Sequence, residues 1–258
     1  MEILVLLKQV PATESLISVA DDGVSIKAEG LKYVINPYDE LAVEEALQIR
    51  EAQGGTVTIV SVGPAKAAEA IRTGLAMGAD KGILVDPGDL KCDGLAVAKI
   101  LAAAIKAEKF DLILAGHRAV DDDNYQVGPA VAELLGIPHI SMAVKTEVAD
   151  GEIQCQCTID GGTKEVRAPL PALITTQRGL NEPRYASLPG IMKAKKKPLD
   201  TRTLADLGLD AAGLESKVIV RSLHMPPERK GGRIIEGDTI PAKVSELVRA
   251  LREEAKVI

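Results

Sequence analysis

From Glu2 to Gly136 the chain alternates between short apolar runs of strand length and segments whose apolar residues recur at helical spacing. Few architectures accept that order. Strand and helix in strict turn bury both kinds of apolar face most simply as a parallel sheet with helices on both sides. The spacing predicts strands at Glu2 to Lys8, Thr56 to Val62, Gly82 to Val85 and Asp111 to Ala115. It predicts helices from Asn36 to about Ala52, from Gly63-Pro64 to Met77, from Asp93 to Ala107, and around Val127, Val131, Leu134 and Leu135. Asn36-Pro37-Tyr38-Asp39 is the clearest helix start, with Asn36 as cap, Pro37 at the first helical position and Asp39 able to bond back to the cap.

Beyond Val144 the pattern changes. Lys145 to Val148, Glu152 to Ile159 and Lys164 to Ala168 read as strands joined at Asp150-Gly151 and Asp160-Gly-Gly162, an antiparallel meander added to the sheet. Pro171 to Thr175 reads as one more buried strand, and Leu16 to Lys27 as a hairpin around Asp21-Asp-Gly23. Gln177 to Lys197 has neither period and is expected to be a long loop, functional or a linker. Further expectations are a short helix in Thr201 to Leu214, a strand Val218 to Leu223, a flexible connector Pro226 to Gly232 and a last helix Pro241 to Lys256. That helix carries Val244, Leu247, Val248 and Leu251 on one stripe, which a partner chain is a candidate to cover. The fold class is therefore α/β: an open, mostly parallel, doubly wound sheet, Rossmann-like and suited to adenine nucleotides, with an antiparallel meander and an extended C-terminal arm.

In open parallel sheets ligands sit at the carboxyl ends of the strands. The strand from Asp111 ends at Gly116, and a polar loop with Asp121, Asp122 and Asp123 leads to the next helix. A helix start there offers free N–H groups and a positive dipole end to a phosphate. The aspartates, Asn124 and Gln126 are hydroxyl- and sugar-binding types, so the loop reads as a nucleotide cradle. It reads equally as an acidic surface loop capping a helix.

Composition narrows the classes. Of 258 residues, 46% are hydrophobic and 2% aromatic, so the core is aliphatic and few rings remain to stack a flavin or bases. A net charge of −6 gives no global pull toward nucleic acid. No apolar run reaches spanning length, and the first strand begins without a signal or transit pattern, so a cytoplasmic protein that does not span the membrane is expected. Cys92, Cys155 and Cys157 read as reduced thiols, and His117, His139 and His224 show no ligand spacing, so no metal is expected. There is no G-x-G-x-x-G after a strand, no phosphate loop, no nucleophile elbow and no catalytic set.

Several stretches together resemble the β subunit family of electron transfer flavoproteins: Val34 to Ala46, Ile71 to Asp80, Gly116 to Asp123, and above all Leu180-Asn-Glu-Pro-Arg-Tyr-Ala-Ser-Leu-Pro-Gly-Ile-Met-Lys-Ala-Lys-Lys-Lys197. The resemblance covers the chain from end to end. It implies a heterodimer whose α subunit holds most of a redox-active FAD, with AMP bound structurally in the β subunit. By the family's motif, AMP contacts fall on Leu6, on Asn36, Pro37, Tyr38 and Asp39, on Val62, and on Gly116, His117, Arg118, Ala119, Val120, Asp121, Asp122, Asp123, Asn124, Tyr125, Gln126 and Val127. Residues of about 182–197 resemble the recognition loop, with Leu188 as the anchor on dehydrogenases and Tyr185, Lys193 and Lys196 beside it. The resemblance implies an electron carrier rather than an enzyme, running from acyl-CoA-type dehydrogenases to a quinone oxidoreductase. It divides the chain into a nucleotide-binding domain, 1–200, and an arm, 201–258, that packs on the α subunit.

Three other readings stand beside this. Some family members bifurcate electrons, oxidising NADH and holding a second FAD in place of AMP. Lys8-Gln-Val-Pro11 and Gln126-Val-Gly-Pro129 resemble those members, whereas Asp122 and Tyr125 replace smaller residues and favour the smaller ligand. A stand-alone adenine-nucleotide sensor of universal-stress-like topology would need no arm. An NAD-dependent dehydrogenase would need the missing glycine fingerprint.

Overall fold

The computed structural model describes residues 1–228 and 231–258. Its centre is a nine-stranded sheet flanked by helices. The chain enters through β1 (Glu2–Leu6), forms a small antiparallel ribbon from β2 (Gln9–Pro11) and β3 (Tyr33–Ile35), and continues into α1 (Pro37–Gln53). Then follow β4 (Thr56–Val62), α2 (Ala68–Met77), β5 (Lys81–Asp86), α3 (Gly94–Lys106), β6 (Leu112–Gly116) and α4 (Val127–Leu135). The second half holds β7 (His139–Ala149), β8 (Glu152–Ile159), β9 (Gly162–Pro169), β10 (Ala172–Thr176), α5 (Leu188–Ala194), β11 (Leu199–Thr203) and α6 (Ile240–Arg249).

The strand order is β11-β5-β4-β1-β6-β10-β7-β8-β9. Neighbours from β11 through β7 are parallel, and β7-β8-β9 is the antiparallel meander. Side-chain alternation along β1 divides the core. Ile3 and Val5 face a cluster with Ala42, Ala46 and Leu47 of α1 and Ile71 and Leu75 of α2. Leu4 and Leu6 face a second cluster with Ile100 and Leu101 of α3 and Val131 of α4. The sheet is thus doubly wound. From β1 the chain moves out through β4 and β5, while β6 lies on the other side of β1, so the crevice between diverging connections opens at the carboxyl ends of β1 and β6.

Five local expectations change. Leu16 to Lys27 keeps a single antiparallel bridge, Val19 with Ile26, rather than two strands. Thr201 to Leu214 is no helix: Leu199–Thr203 joins the sheet edge beside β5, and two 3-10 turns follow at Ala205–Leu207 and Ala211–Leu214. The partner edge, over a hundred residues away in sequence, outweighs local propensity. Val218 to Leu223 is not a strand, for it finds no ladder partner among the described residues. The loop expected at 177–197 contains α5, with Ser187 as its cap and Pro189 in its first turn. The last α-helix ends at Arg249 and widens into a π-helical turn, Ala250–Glu254. The connector expected at Pro226 to Gly232 falls in part on Arg229 and Lys230, which lie outside the described residues. Among the described residues no helix is long and apolar enough to cross a membrane.

Candidate functional site

A cavity of about 230 Å³ opens at the carboxyl ends of β1, β4 and β6. Leu6, Val62, Ala115, Val97 and Leu101 give it an apolar floor. The starts of α3 (Asp93, Gly94) and α4 (Val127, Gly128) border it. Asp93 caps α3, accepting from Ala96 N at 2.9 Å, but the start of α4 has no side-chain cap. The first N–H groups of α4 are therefore free to meet an anion.

One wall is built from the start of α1, and here the expected cap is corrected. Asn36 occupies the cap position, and its carbonyl accepts from Asp39 N and Glu40 N at 2.8 and 3.1 Å. Its side chain makes no capping bond. Instead Asn36 Nδ2 donates to Arg118 O at 2.8 Å, and Asn36 Oδ1 accepts from Val120 N at 3.2 Å. Asp39 turns away as well, its carboxylate accepting from Lys8 N at 2.7 Å and Gly116 N at 3.0 Å. The physical reason is accounting of buried N–H groups: those just past β1 and at the end of β6 need acceptors inside the protein. Burial pushes the Asp39 carboxyl up to about 7, against these two donors and the Lys8 charge. Gly116 is obligatory, because a Cβ there would collide with Asp39 Oδ1 and stand 2.8 Å from Tyr38 Cβ.

The acidic loop is neutralised from within. Lys8 Nζ pairs with Asp121 at 2.8 Å and Asp122 at 3.0 Å. Burial alone would lower the Lys8 ammonium, but its hydrogen bonds to Asp121 and Asp122 and their charges raise it. Arg118 grips both oxygens of Asp123 at 2.6 and 2.7 Å, donates to Tyr38 Oη at 2.9 Å, and lies 4.9 Å above the Tyr38 ring. Asp123 and Tyr125 adopt left-handed backbone, at φ 53° and 56°. For a tyrosine that is uncommon, and the ring is braced edge-on against His117 at 4.8 Å. Burial, followed by the Arg118 charge, lowers His117 below the ordinary histidine range. Gln126 folds over Gly94, where a Cβ would stand 2.6 Å from its Oε1.

Of the residues singled out in the sequence, Leu6, Asn36, Asp39, Val62, Gly116 to Ala119, Asp122 and Asn124 to Val127 line the cavity. Pro37, Tyr38, Val120, Asp121 and Asp123 stand outside the lining, and Tyr38, Asp121 and Asp123 hold Arg118 or Lys8. Lys8, Cys92 to Gly94, Val97, Leu101 and Gly128 also line it, though none of them was among the expected AMP contacts. The signal for Asp93 was present, since it caps the helix that leaves the carboxyl end of β5. Lys8 carries no such mark, because its partners lie more than a hundred residues away.

Tyr185, Leu188, Lys193 and Lys196 gather elsewhere, on and around α5. Tyr185 is 99% and Leu188 79% exposed. Leu188 is the first residue of a helix, not part of an unstructured loop. Lys197 leaves the basic run and donates to Leu75 O and Ala79 O at 3.0 and 2.5 Å, at the end of α2. Among the described residues no group of three or more His, Cys, Asp or Glu side chains is placed to hold a metal ion. The cavity's chemistry is that of binding: an apolar floor, free helix-start N–H groups and polar rim atoms.

Comparison with known proteins gives the chain a family. The family model described as "Electron transfer flavoprotein domain" matches residues 24–207. The chain is 43% identical to "Electron transfer flavoprotein subunit beta" of Bacillus subtilis over 261 residues, covering all of both chains. It is 45% identical to the protein of the same name from Syntrophomonas wolfei over 239 residues, covering 92% of this chain and 91% of the other. The human protein of that name is 41% identical over 254 residues, covering 96% and 98%. From the cavity at the sheet's crevice to the α5 segment, the chain belongs to the family of electron transfer flavoprotein β subunits.

Proposed function

We propose that this chain is the β half of a heterodimeric single-flavin carrier. In this reading it binds AMP as a structural ligand, and its α partner holds most of the FAD. Electrons enter from acyl-CoA-type dehydrogenases and leave to a quinone oxidoreductase. The observation that carries the AMP assignment is the cavity at the carboxyl ends of β1, β4 and β6, bordered by the uncapped start of α4 and with Tyr125 in its lining. The residues fit such a ligand. Val127 and Gly128 at the uncapped start of α4 would receive the phosphate, and Leu6, Val62 and Leu101 would pack the base. Asn124 and Gln126, also in the lining, would meet the ribose hydroxyls. When bound, the FAD supplies the redox chemistry, and this chain's residues bind, brace and dock.

A second reading rests on Lys8-Gln-Val-Pro11 and Gln126-Val-Gly-Pro129, which resemble bifurcating members and contribute Lys8, Gln126, Val127 and Gly128 to the cavity. In that reading a second FAD replaces AMP and NADH is oxidised. Two features weigh against it: Tyr125 crowds the loop, and Lys8 is spent on Asp121 and Asp122. The test is anaerobic mixing of the purified heterodimer with an acyl-CoA dehydrogenase and its acyl-CoA. The flavin absorbance should bleach, and NADH alone should leave it unchanged. Bleaching by NADH alone would overturn the carrier reading.

A further inference from the structure

Helix α5 is too short to hold itself, since isolated helices of one or two turns are unstable in water. It also buries little: Tyr185, Leu188 and Met192 point outward, and within the helix Ala194 alone is buried. Its position is set from both flanks. On the leading side Arg184 meets α1. Its Nε and Nη2 reach the two Glu44 oxygens at 2.8 and 2.9 Å, its backbone N–H donates to Glu44 at 3.1 Å, and Nη1 reaches Glu51 at 2.5 Å. The Glu44 side chain is only 4% exposed, so without the guanidinium a charge would be left buried and unpaired. On the trailing side Arg72 of α2 donates to Ala194 O and Lys197 O at 2.6 and 2.7 Å. Between them Gly190 rests on α2, where a Cβ would stand 2.6 Å from Ala76 O.

We propose that Arg184 is a positioning residue for docking: it holds the Tyr185 to Met192 face in its bound geometry before a dehydrogenase arrives. This rests on the docking role of Leu188 given above. A face ordered in advance spares the ordering cost at encounter, so the effect falls on association and not on the electron step. The forked guanidinium matters as well as its charge, because one planar group serves two carboxylates at once.

The experiment is steady-state electron transfer from an acyl-CoA dehydrogenase to the purified heterodimer, with hydrogen exchange read on the same samples. Arg184→Gln should raise KM for the dehydrogenase about tenfold with kcat within about twofold. FAD and nucleotide content should be unchanged, and amides of 185–194 should exchange faster. Arg184→Lys should recover part of the KM. Leu188→Ala, run in parallel, separates the two readings. If Leu188→Ala raises KM while Arg184→Gln behaves as wild type, docking stands and the positioning role is overturned. If Leu188→Ala has no effect, the docking reading fails and the positioning role fails with it. Loss of FAD or of the heterodimer in both Arg184 variants would show a general structural role and also overturn the proposal.

Discussion

Helices α5 and α6 begin with the same local chemistry. Ser187 accepts from Gly190 N and Thr239 from Ala242 N, and a proline stands second in each helix. Both carry exposed apolar residues: Leu188, Ile191 and Met192 on one, Val244, Leu247 and Val248 on the other. They part in how they are held. Helix α5 is fastened by Arg184, Arg72 and Gly190 to α1 and α2, the two helices that cover one face of the sheet. Helix α6 has no buried residue, and its charges pair within the arm: Arg233 with Glu246 and Glu254, and Arg249 with Glu246. An apolar face on a fixed footing suits contacts that are made and broken. An apolar stripe on a segment that satisfies its own charges suits lasting burial against another surface. In the proposed reading these are the dehydrogenase and the α subunit.

Four perturbations break or sharpen that contrast. The largest effect is expected from truncation before Pro241. A fully buried aliphatic side chain contributes about 1.5–3 kcal/mol, so losing the stripe should weaken the heterodimer about a thousandfold or more. Gel filtration at micromolar concentration should then show separate subunits; an intact dimer would break the arm half of the contrast. Leu188→Ala should cost about 1.5–3 kcal/mol at the docking step, a rise of about ten- to hundredfold in KM, with heterodimer and flavin content untouched. Loss of the dimer instead would merge the two faces into one interface.

Gly116→Ala probes the cavity and should leave both helices alone. The collision with Asp39 calls for a shift that costs about 1–3 kcal/mol, seen as a melting temperature lowered by about 3–8 °C and a lost nucleotide. An unchanged nucleotide content would sink the role given to that wall. The smallest effect is an acid one. Burial raises the Glu44 carboxyl, but hydrogen bonds from Arg184 and Gln48 more than reverse this and hold it below the ordinary 4.5. The folded state then binds fewer protons at Glu44 than the unfolded chain, so this stabilisation is full above 4.5 and is lost as pH falls through the folded value. With Arg184 partly exposed, the contribution should be at most about 1 kcal/mol. Protection factors at α5, corrected for the slower intrinsic exchange in acid, should fall before those of the core strands, and Arg184→Gln should abolish that step.

The sheet was legible where the information is local. Asn36-Pro37, Asp93 and Gly136 mark helix ends by their own chemistry, and the β-branched run of β4 marks a buried strand. It was illegible where a distant partner decides. Leu199–Thr203, mostly polar, becomes a strand only because the edge of β5 is there to receive it, and Val218 to Leu223, richer in β-branched residues, meets no such edge among the described residues. Helix α5 has seven residues, too few to display a period. The site followed the same rule. The strand end at Gly116 pointed to the loop and the family resemblance to Leu6 and Val62, and all three line the cavity. The three aspartates announced a polar loop but not its neutralisation, because Lys8 precedes them by more than a hundred residues and Arg118 is shared with Tyr38.

The account turns on what the cavity under the 116–127 loop holds. The direct measurement is release of the small molecules bound to the heterodimer co-expressed with its α subunit, with identification and counting by mass. The account predicts one FAD and one AMP per heterodimer. Two FAD and no AMP would contradict it and make NADH the substrate to test.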